Sequence, residues 1–182
     1  MDIIQAHDLL FRPFISAEQI RQRVQELGEA IHQAYAGKNP VFLGVLNGSF
    51  MFTADLVRAF NADCEISFIK LASYRGTQST GDVSTLIGLE IDLRNRPIII
   101  VEDIVDSGRT LFHLLQDLQQ YQPASIAIAA LLQKPDMLEH PLEVQYTGFL
   151  IEPHFVIGYG LDYDGLGRQL PAIYQRINHE NS

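Results

Sequence analysis

What this sequence lacks narrows its class before any motif is read. It has no Trp and a single cysteine, Cys64, so no internal disulfide can form, and 182 residues bury a sizeable core without such staples. Basic residues are few: 13 Lys and Arg stand against 22 Asp and Glu, a net charge of −9 with His neutral. That balance opposes nonspecific nucleic-acid binding, whose affinity comes mostly from Lys and Arg meeting phosphates, so no nucleic-acid partner is expected. The longest apolar runs, at 97–101 and 124–132, fall well short of the roughly 20 residues that span a bilayer. No membrane partner is expected either. The start, MDIIQAHDLL, lacks the basic and apolar regions of a secretory signal, which predicts a cytoplasmic protein. The chain has no internal repeat, low-complexity tract or linker, so residues 1–182 are expected to form a single domain. His residues show no metal-ligand spacing, and neither a Walker-type Gly-Lys-Ser/Thr nor a Gly-x-Gly-x-x-Gly follows a strand.

What is present alternates between two periods. Ser16-Ala17-Glu18-Gln19 has the form of a capping box, and Ile20, Val24, Leu27, Ile31 and Ala34 follow at helical spacing until Gly37. Residues 41–46 form a nearly continuous apolar run, as in strands buried on both faces, and Asn47-Gly48-Ser49 stops it. A helix is predicted over 50–60 and a strand over 65–71. Residues 72–84 turn to Ser, Thr, Gly, Gln and Asp, the composition of a long exposed loop of the kind that serves as a lid. After a strand near 85–91, the strongest strand signal occupies 97–101 and ends in Glu102 and Asp103. Thr110 opens a helix carrying Leu111, Leu114, Leu115 and Leu118, and strands follow at 125–132 and 155–158. Strands alternating with helices predict an α/β domain with a mainly parallel central sheet, whose ligands bind at the carboxyl ends of the strands. Polar clusters stand at three such ends, after Leu46, Val101 and Leu132.

The segment 101–110, Val-Glu-Asp-Ile-Val-Asp-Ser-Gly-Arg-Thr, joins a buried strand to a helix. Its second half, Asp106, Ser107, Gly108, Arg109 and Thr110, sets a glycine, two hydroxyls and free backbone N–H groups at a helix N-terminus, where a phosphate is favoured. Its first half offers two carboxylates suited to sugar hydroxyls or a hydrated divalent cation. A ribose 5-phosphate has both needs in one molecule. A plainer reading stands beside it: Asp106 or Ser107 caps the helix and the acid pair is solvated.

This segment resembles the phosphoribosyl diphosphate (PRPP) signature of the type I phosphoribosyltransferases, and its Asp-Ser-Gly-Arg-Thr ending resembles their hypoxanthine/guanine branch. The resemblance continues in order through 46–49, Ser73-Tyr74 with 79–82, 131–134 and 155–163, covering most of the chain between Val41 and Arg168. It implies the type I phosphoribosyltransferase fold: a mainly parallel central sheet flanked by helices, a small hood and a mobile loop. It also implies transfer of the 5-phosphoribosyl group from PRPP to a 6-oxopurine base, hypoxanthine and also guanine. The products are the purine mononucleotide and pyrophosphate, the cofactor is Mg2+, and the assembly is a homodimer or homotetramer.

Residue by residue, the resemblance puts Glu102 and Asp103 on the ribose hydroxyls and 106–110 around the 5-phosphate. Asp106 is implied to accept the purine N7 proton, with Asp103 as its cooperating or alternative carboxylate. Leu46, Asn47 and Gly48 match the pyrophosphate turn and Arg168 the later pyrophosphate-binding Arg, whose fork suits phosphate oxygens. Lys134 matches the Lys that reads the 6-oxo group, Phe155 the aromatic that stacks on the purine, and Val156 the backbone that reads the purine edge. Asp162 matches a carboxylate near purine, metal and pyrophosphate, so the implied metal set is Glu102, Asp103 and Asp162. Ser73 and Tyr74 match the pair on the closing loop. Read without the resemblance, Lys134 and Arg168 are solvated charges, Phe155 is core and His154 a rim residue.

Three positions depart from the family pattern. Asn47 stands where many relatives carry Lys, Pro135 follows Lys134 where a second basic residue is common, and Ile151-Glu152-Pro153-His154 shifts the proline beside the purine pocket. The last two bear on base preference and leave the reaction class intact. Two rival classes are weighed: an RNA-binding regulator that keeps the phosphoribosyltransferase fold, opposed by the acidic charge, and a phosphoacceptor signalling domain. The latter needs its acid pair after the first strand, whereas Glu102 and Asp103 lie past the midpoint.

Overall fold

A computed structural model describes residues 2–70 and 91–177 of the chain. The expected loop over 72–84, with Ser73 and Tyr74, and the expected strand near 85–91 lie outside them, apart from Ile91, which is in a bend. In chain order the elements are β1 (Ile4–Ala6), β2 (Leu9–Ile15), α1 (Ala17–Tyr35), β3 (Val41–Leu46), α2 (Phe50–Phe60), β4 (Glu65–Lys70) and β5 (Pro97–Val105), followed by α3 (Arg109–Gln119), β6 (Ser125–Gln133), β7 (Tyr146–Leu150), β8 (Val156–Ile157) and β9 (Ile173–Arg176).

The α1 entry is set by its sequence. Gln19 N donates to Ser16 Oγ at 3.2 Å while Ser16 N donates to Gln19 Oε1 at 2.9 Å, the reciprocal capping box. Ile20, Val24, Leu27 and Ile31 then line the buried stripe.

Among the described residues five strands form the central sheet in the order β4-β3-β5-β6-β7, every pair parallel. The alternation of side chains along these strands splits the core in two. Phe42, Ile99, Val101, Ala129 and Leu131 face α1 and α2; Val41, Leu43, Ile98, Ile100, Ile128 and Ala130 face Leu111, Leu114 and Leu118 of α3. Covered on both faces, the strands read as unbroken apolar runs. β3 leads through α2 to β4 on one side and is flanked by β5 on the other, which makes the gap above β3 and β5 the switch point of the sheet.

The acid pair does not end its strand. β5 continues through Glu102 and Asp103 to Val105, because its ladder to β6 persists as far as Val105 opposite Gln133. Backbone pairing outlasts the apolar side chains here. The late strand at 155–158 shortens to Val156–Ile157 and lies in a separate four-stranded antiparallel sheet, β1-β2-β9-β8. This small sheet is the expected hood. It has a core of its own around Phe11, Ile157 and Tyr174, while Val156, Tyr159, Leu161 and Ile173 reach into the core shared with α1 and α2.

Candidate active site

The carboxyl ends of β3, β5 and β6 are neighbours in the sheet, so the three polar clusters read from the sequence converge. Leu46, Glu102, Asp106, Ser107, Gly108 and Thr110 line one cleft of ≈ 260 Å³. Its floor is chemically unusual. Glu102 is only 9% exposed, and burial first, then the neighbouring Asp103 carboxylate, pushes its pKa well above the usual carboxylate value. Asp103 accepts a hydrogen bond from Ile104 N at 2.8 Å. Its carboxylate lies against the backbone of the 46–49 turn: a Cβ on Gly48 would stand 1.5 Å from Asp103 Oδ2. Only glycine fits there, and the Leu46–Asn47 peptide before it is cis.

At the other wall, α3 begins without a side-chain cap. Its N-cap is Gly108 at φ +72°, and neither Asp106 nor Ser107 takes that role, although Arg109 N donates to Ser107 Oγ at 3.4 Å. Apart from Arg109 N, the first-turn N–H groups of α3 carry no side-chain cap and can face an anion. The Arg109 guanidinium pairs with Glu139, Nε to Oε2 at 3.1 Å, while Glu139 N donates to Ser107 O at 3.0 Å.

Lys134 is 8% exposed, unlike a solvated surface lysine, and its ammonium donates to Asp106 Oδ2 at 3.0 Å. The two side chains given to the purine thus meet across the site. On the hood side Phe155 is 42% exposed, not core, with its ring edge-on to Tyr163 at 5.6 Å between centroids. Val156 is buried and in register with Gln175. Arg168 and Asp162 form an ion pair, Nη2 to Oδ1 at 2.7 Å, and Asp162 Oδ2 also accepts from Gly165 N at 2.7 Å. Among the described residues no three His, Cys, Asp or Glu side chains gather as one metal-holding group, so Asp162 is not assembled with Glu102 and Asp103.

One contact within the matched stretch was not foreseen. A Cβ on Gly160 would lie 2.0 Å from Gly48 O, so the 158–168 segment rests directly on the 46–49 turn. The glycines bracketing Tyr159 allow this close approach.

The family model described as the phosphoribosyl transferase domain matches residues 16–164. A hypoxanthine phosphoribosyltransferase of Escherichia coli strain K12 is 42% identical over 162 residues, 87% of this chain and 91% of its own. The hypoxanthine-guanine phosphoribosyltransferase of Lactococcus lactis is 39% identical over 160 residues, 87% of each chain. Among solved structures, a hypoxanthine phosphoribosyltransferase from Staphylococcus aureus superposes with a TM-score of 0.86 at 36% identity, covering 91% of both chains. These relatives carry enzyme names, which leaves the RNA-binding-regulator reading without support. The domain match, the sequence identities and the overall fold agree, and the chain belongs to the phosphoribosyltransferase family, in the branch of the hypoxanthine and hypoxanthine-guanine enzymes.

Proposed function

We propose that this chain transfers the 5-phosphoribosyl group of PRPP to the 6-oxopurines hypoxanthine and guanine, releasing pyrophosphate, in purine salvage. The observation that carries this reading is the single cleft in which an uncapped helix start faces a buried carboxylate, with an acid–lysine pair at its rim. The backbone N–H groups of 107–110 and the Ser107 and Thr110 hydroxyls hold the 5-phosphate. Glu102 and Asp103 bind the ribose hydroxyls, and the turn at Leu46, Asn47 and Gly48 with Arg168 holds the pyrophosphate. Asn47 brings no charge, so its turn acts through backbone N–H groups.

As the C1–O bond to pyrophosphate breaks and C1 bonds to the purine nitrogen, positive charge on the sugar is stabilised by nearby carboxylates. Asp106 accepts the N7 proton. Lys134 donates to the 6-oxo group, a contact that a 6-amino purine, itself a donor there, cannot repay. Phe155 offers its exposed face to the base and the Val156 backbone reads its edge. Asp106 and Lys134, already 3.0 Å apart, are spaced to meet two neighbouring edges of one purine.

We propose Mg2+ as the cofactor. The donors present fit it, being carboxylate oxygens without soft ligands: Glu102 and Asp103, with Asp162 nearer the hood, would hold it together with substrate oxygens and water. When bound, it neutralises charge on the departing pyrophosphate. We also place this chain in a homo-oligomer. Phe50 at the start of α2 and Ile66 and Phe68 on the sheet-edge strand β4 are large apolar side chains left exposed.

The direct test is turnover of hypoxanthine, guanine, xanthine and adenine with PRPP and magnesium, with and without chelator. Turnover of an oxopurine but not adenine, abolished by chelator, is the expected result. Folded protein silent on all four bases overturns the reading.

A further inference from the structure

The 158–168 segment carries Asp162 and Arg168, yet most of its anchorage lies elsewhere. Tyr159 has φ +48° between Gly158 at +107° and Gly160 at +101°, a left-handed conformation that a bulky residue adopts only when its surroundings enforce it. Part of the enforcement is backbone: Tyr159 N donates to Leu170 O at 2.8 Å and Gly160 N to Arg168 O at 3.0 Å. The rest is the side chain. The Tyr159 ring is 6% exposed and packs in the core shared with α1 and α2, and its hydroxyl donates to Asp55 Oδ2 at 2.7 Å. Burial of the phenol, with the carboxylate beside it, raises its pKa and keeps the donor protonated.

Asp55 stands on α2, the helix that begins directly after the 46–49 turn. The segment and the turn are therefore tied twice. One tie is Tyr159 to Asp55; the other is the contact of Gly160 with Gly48 O. Arg168 Nη1 in turn donates to Gly160 O at 2.6 Å while its Nη2 pairs with Asp162. A shift of Gly160 would thus carry both charged groups away from the turn.

We propose that Tyr159 and Asp55 are positioning residues that hold Arg168 and Asp162 in register with the 46–49 turn, fixing the pyrophosphate half of the site from the core side. The inference rests on the phosphoribosyl-transfer reading above. If Tyr159 merely filled the core, phenylalanine would serve as well, because the two rings occupy nearly the same space. Asp55 is half-exposed, and its other partner, Arg58 at 3.5 Å, is an exposed neighbour whose loss matters little.

The test compares Tyr159→Phe, Asp55→Ala and Asp55→Asn with the wild-type chain in steady-state kinetics and in calorimetric PRPP binding. Tyr159→Phe and Asp55→Ala are expected to raise the PRPP KM and Kd roughly tenfold, the range of a hydrogen bond to a charged group, and to leave the purine KM nearly unchanged. Asp55→Asn keeps an acceptor oxygen and is expected to restore most of the loss. Unchanged PRPP affinity in Tyr159→Phe, or equal shifts for both substrates, overturns the inference. Should Tyr159→Phe not fold, Asp55→Ala on the helix surface decides in the same way. Wild-type protein that turns over no oxopurine sinks the enzymatic reading itself, whereas an active wild type with an indifferent Tyr159→Phe sinks only the positioning role.

Discussion

Glu102 carries a conflict that stability measurements can read. Its carboxyl is buried beside Asp103, and its pKa is raised well above the usual 4.5. In the window between 4.5 and that raised value the folded chain keeps a proton the unfolded chain has lost, so stability falls as pH rises through it. Below the window both states are protonated and the penalty vanishes. Glu102→Gln is therefore expected to raise Tm at pH 7 by a few degrees and to leave it unchanged near pH 4, in melts of the free protein, while lowering turnover. A lower Tm at pH 7 would mean that Glu102 is stabilised by contacts the neutral amide cannot make. Asp106 acts differently, because its carboxylate is half-exposed and paired with Lys134. Asp106→Asn keeps the shape but removes the carboxylate that, in the proposed reaction, takes the N7 proton. Its kcat is expected to drop about 100-fold or more, the scale of general-base loss, with PRPP affinity by calorimetry nearly unchanged. A PRPP Kd that weakens in step with kcat would assign Asp106 to binding instead.

At the scale of elements, packing and site separate cleanly at two glycines. Gly28 in α1 faces α2 so closely that an added Cβ would lie 2.3 Å from Ala59 Cβ, far from the cleft. Gly28→Ala is expected to cost about 1–3 kcal/mol in denaturant unfolding, the usual penalty of overpacking, with kcat retained in the protein that stays folded. Gly48→Ala, pressed on Asp103, is expected to abolish turnover. The central elements were legible because a strand buried on both faces needs a run such as Ile98, Ile99, Ile100 and Val101, and α1 announces itself through Ser16 and Gln19. The other hood strands, β1, β2 and β9, were not. β2 contains Arg12 and Pro13 and shifts register between Pro13 and Ile15, and β9 is four residues long; such strands are specified by their partners rather than by local pattern. β7, with Thr147 and Gly148, is held partly by Arg23 of α1, which donates to both of their carbonyls, a contact no window of sequence contains. The site divides the same way. The 101–110 motif was readable, whereas the pairing of Arg109 with Glu139 and the pairing of Lys134 with Asp106 join residues 30 and 28 positions apart.

At the scale of the whole molecule, the hood shares a core with α1 and α2, and β4, an edge of the central sheet among the described residues, carries exposed apolar side chains. Ile66 and Phe68 on β4 and Phe50 on α2 are each more than a third exposed. The Phe68 ring and Thr53 of α2 both crowd the space beside Gly44, which places this strand face against the helix that follows the 46–49 turn. A second copy covering these side chains would also brace that turn, so assembly and PRPP affinity are expected to be linked. Ile66→Lys with Phe68→Lys adds charge without touching the cleft or the core around Ile69. In sedimentation velocity the double variant is expected to run as a smaller species than the wild type, with an unchanged far-ultraviolet circular dichroism spectrum. Its PRPP KM is expected to rise while the purine KM holds, since the purine side is built from β6 and the hood. An unaltered sedimentation coefficient in folded protein would move the interface off this edge, and a smaller species with unaltered PRPP KM would leave the assembly but break its link to the turn.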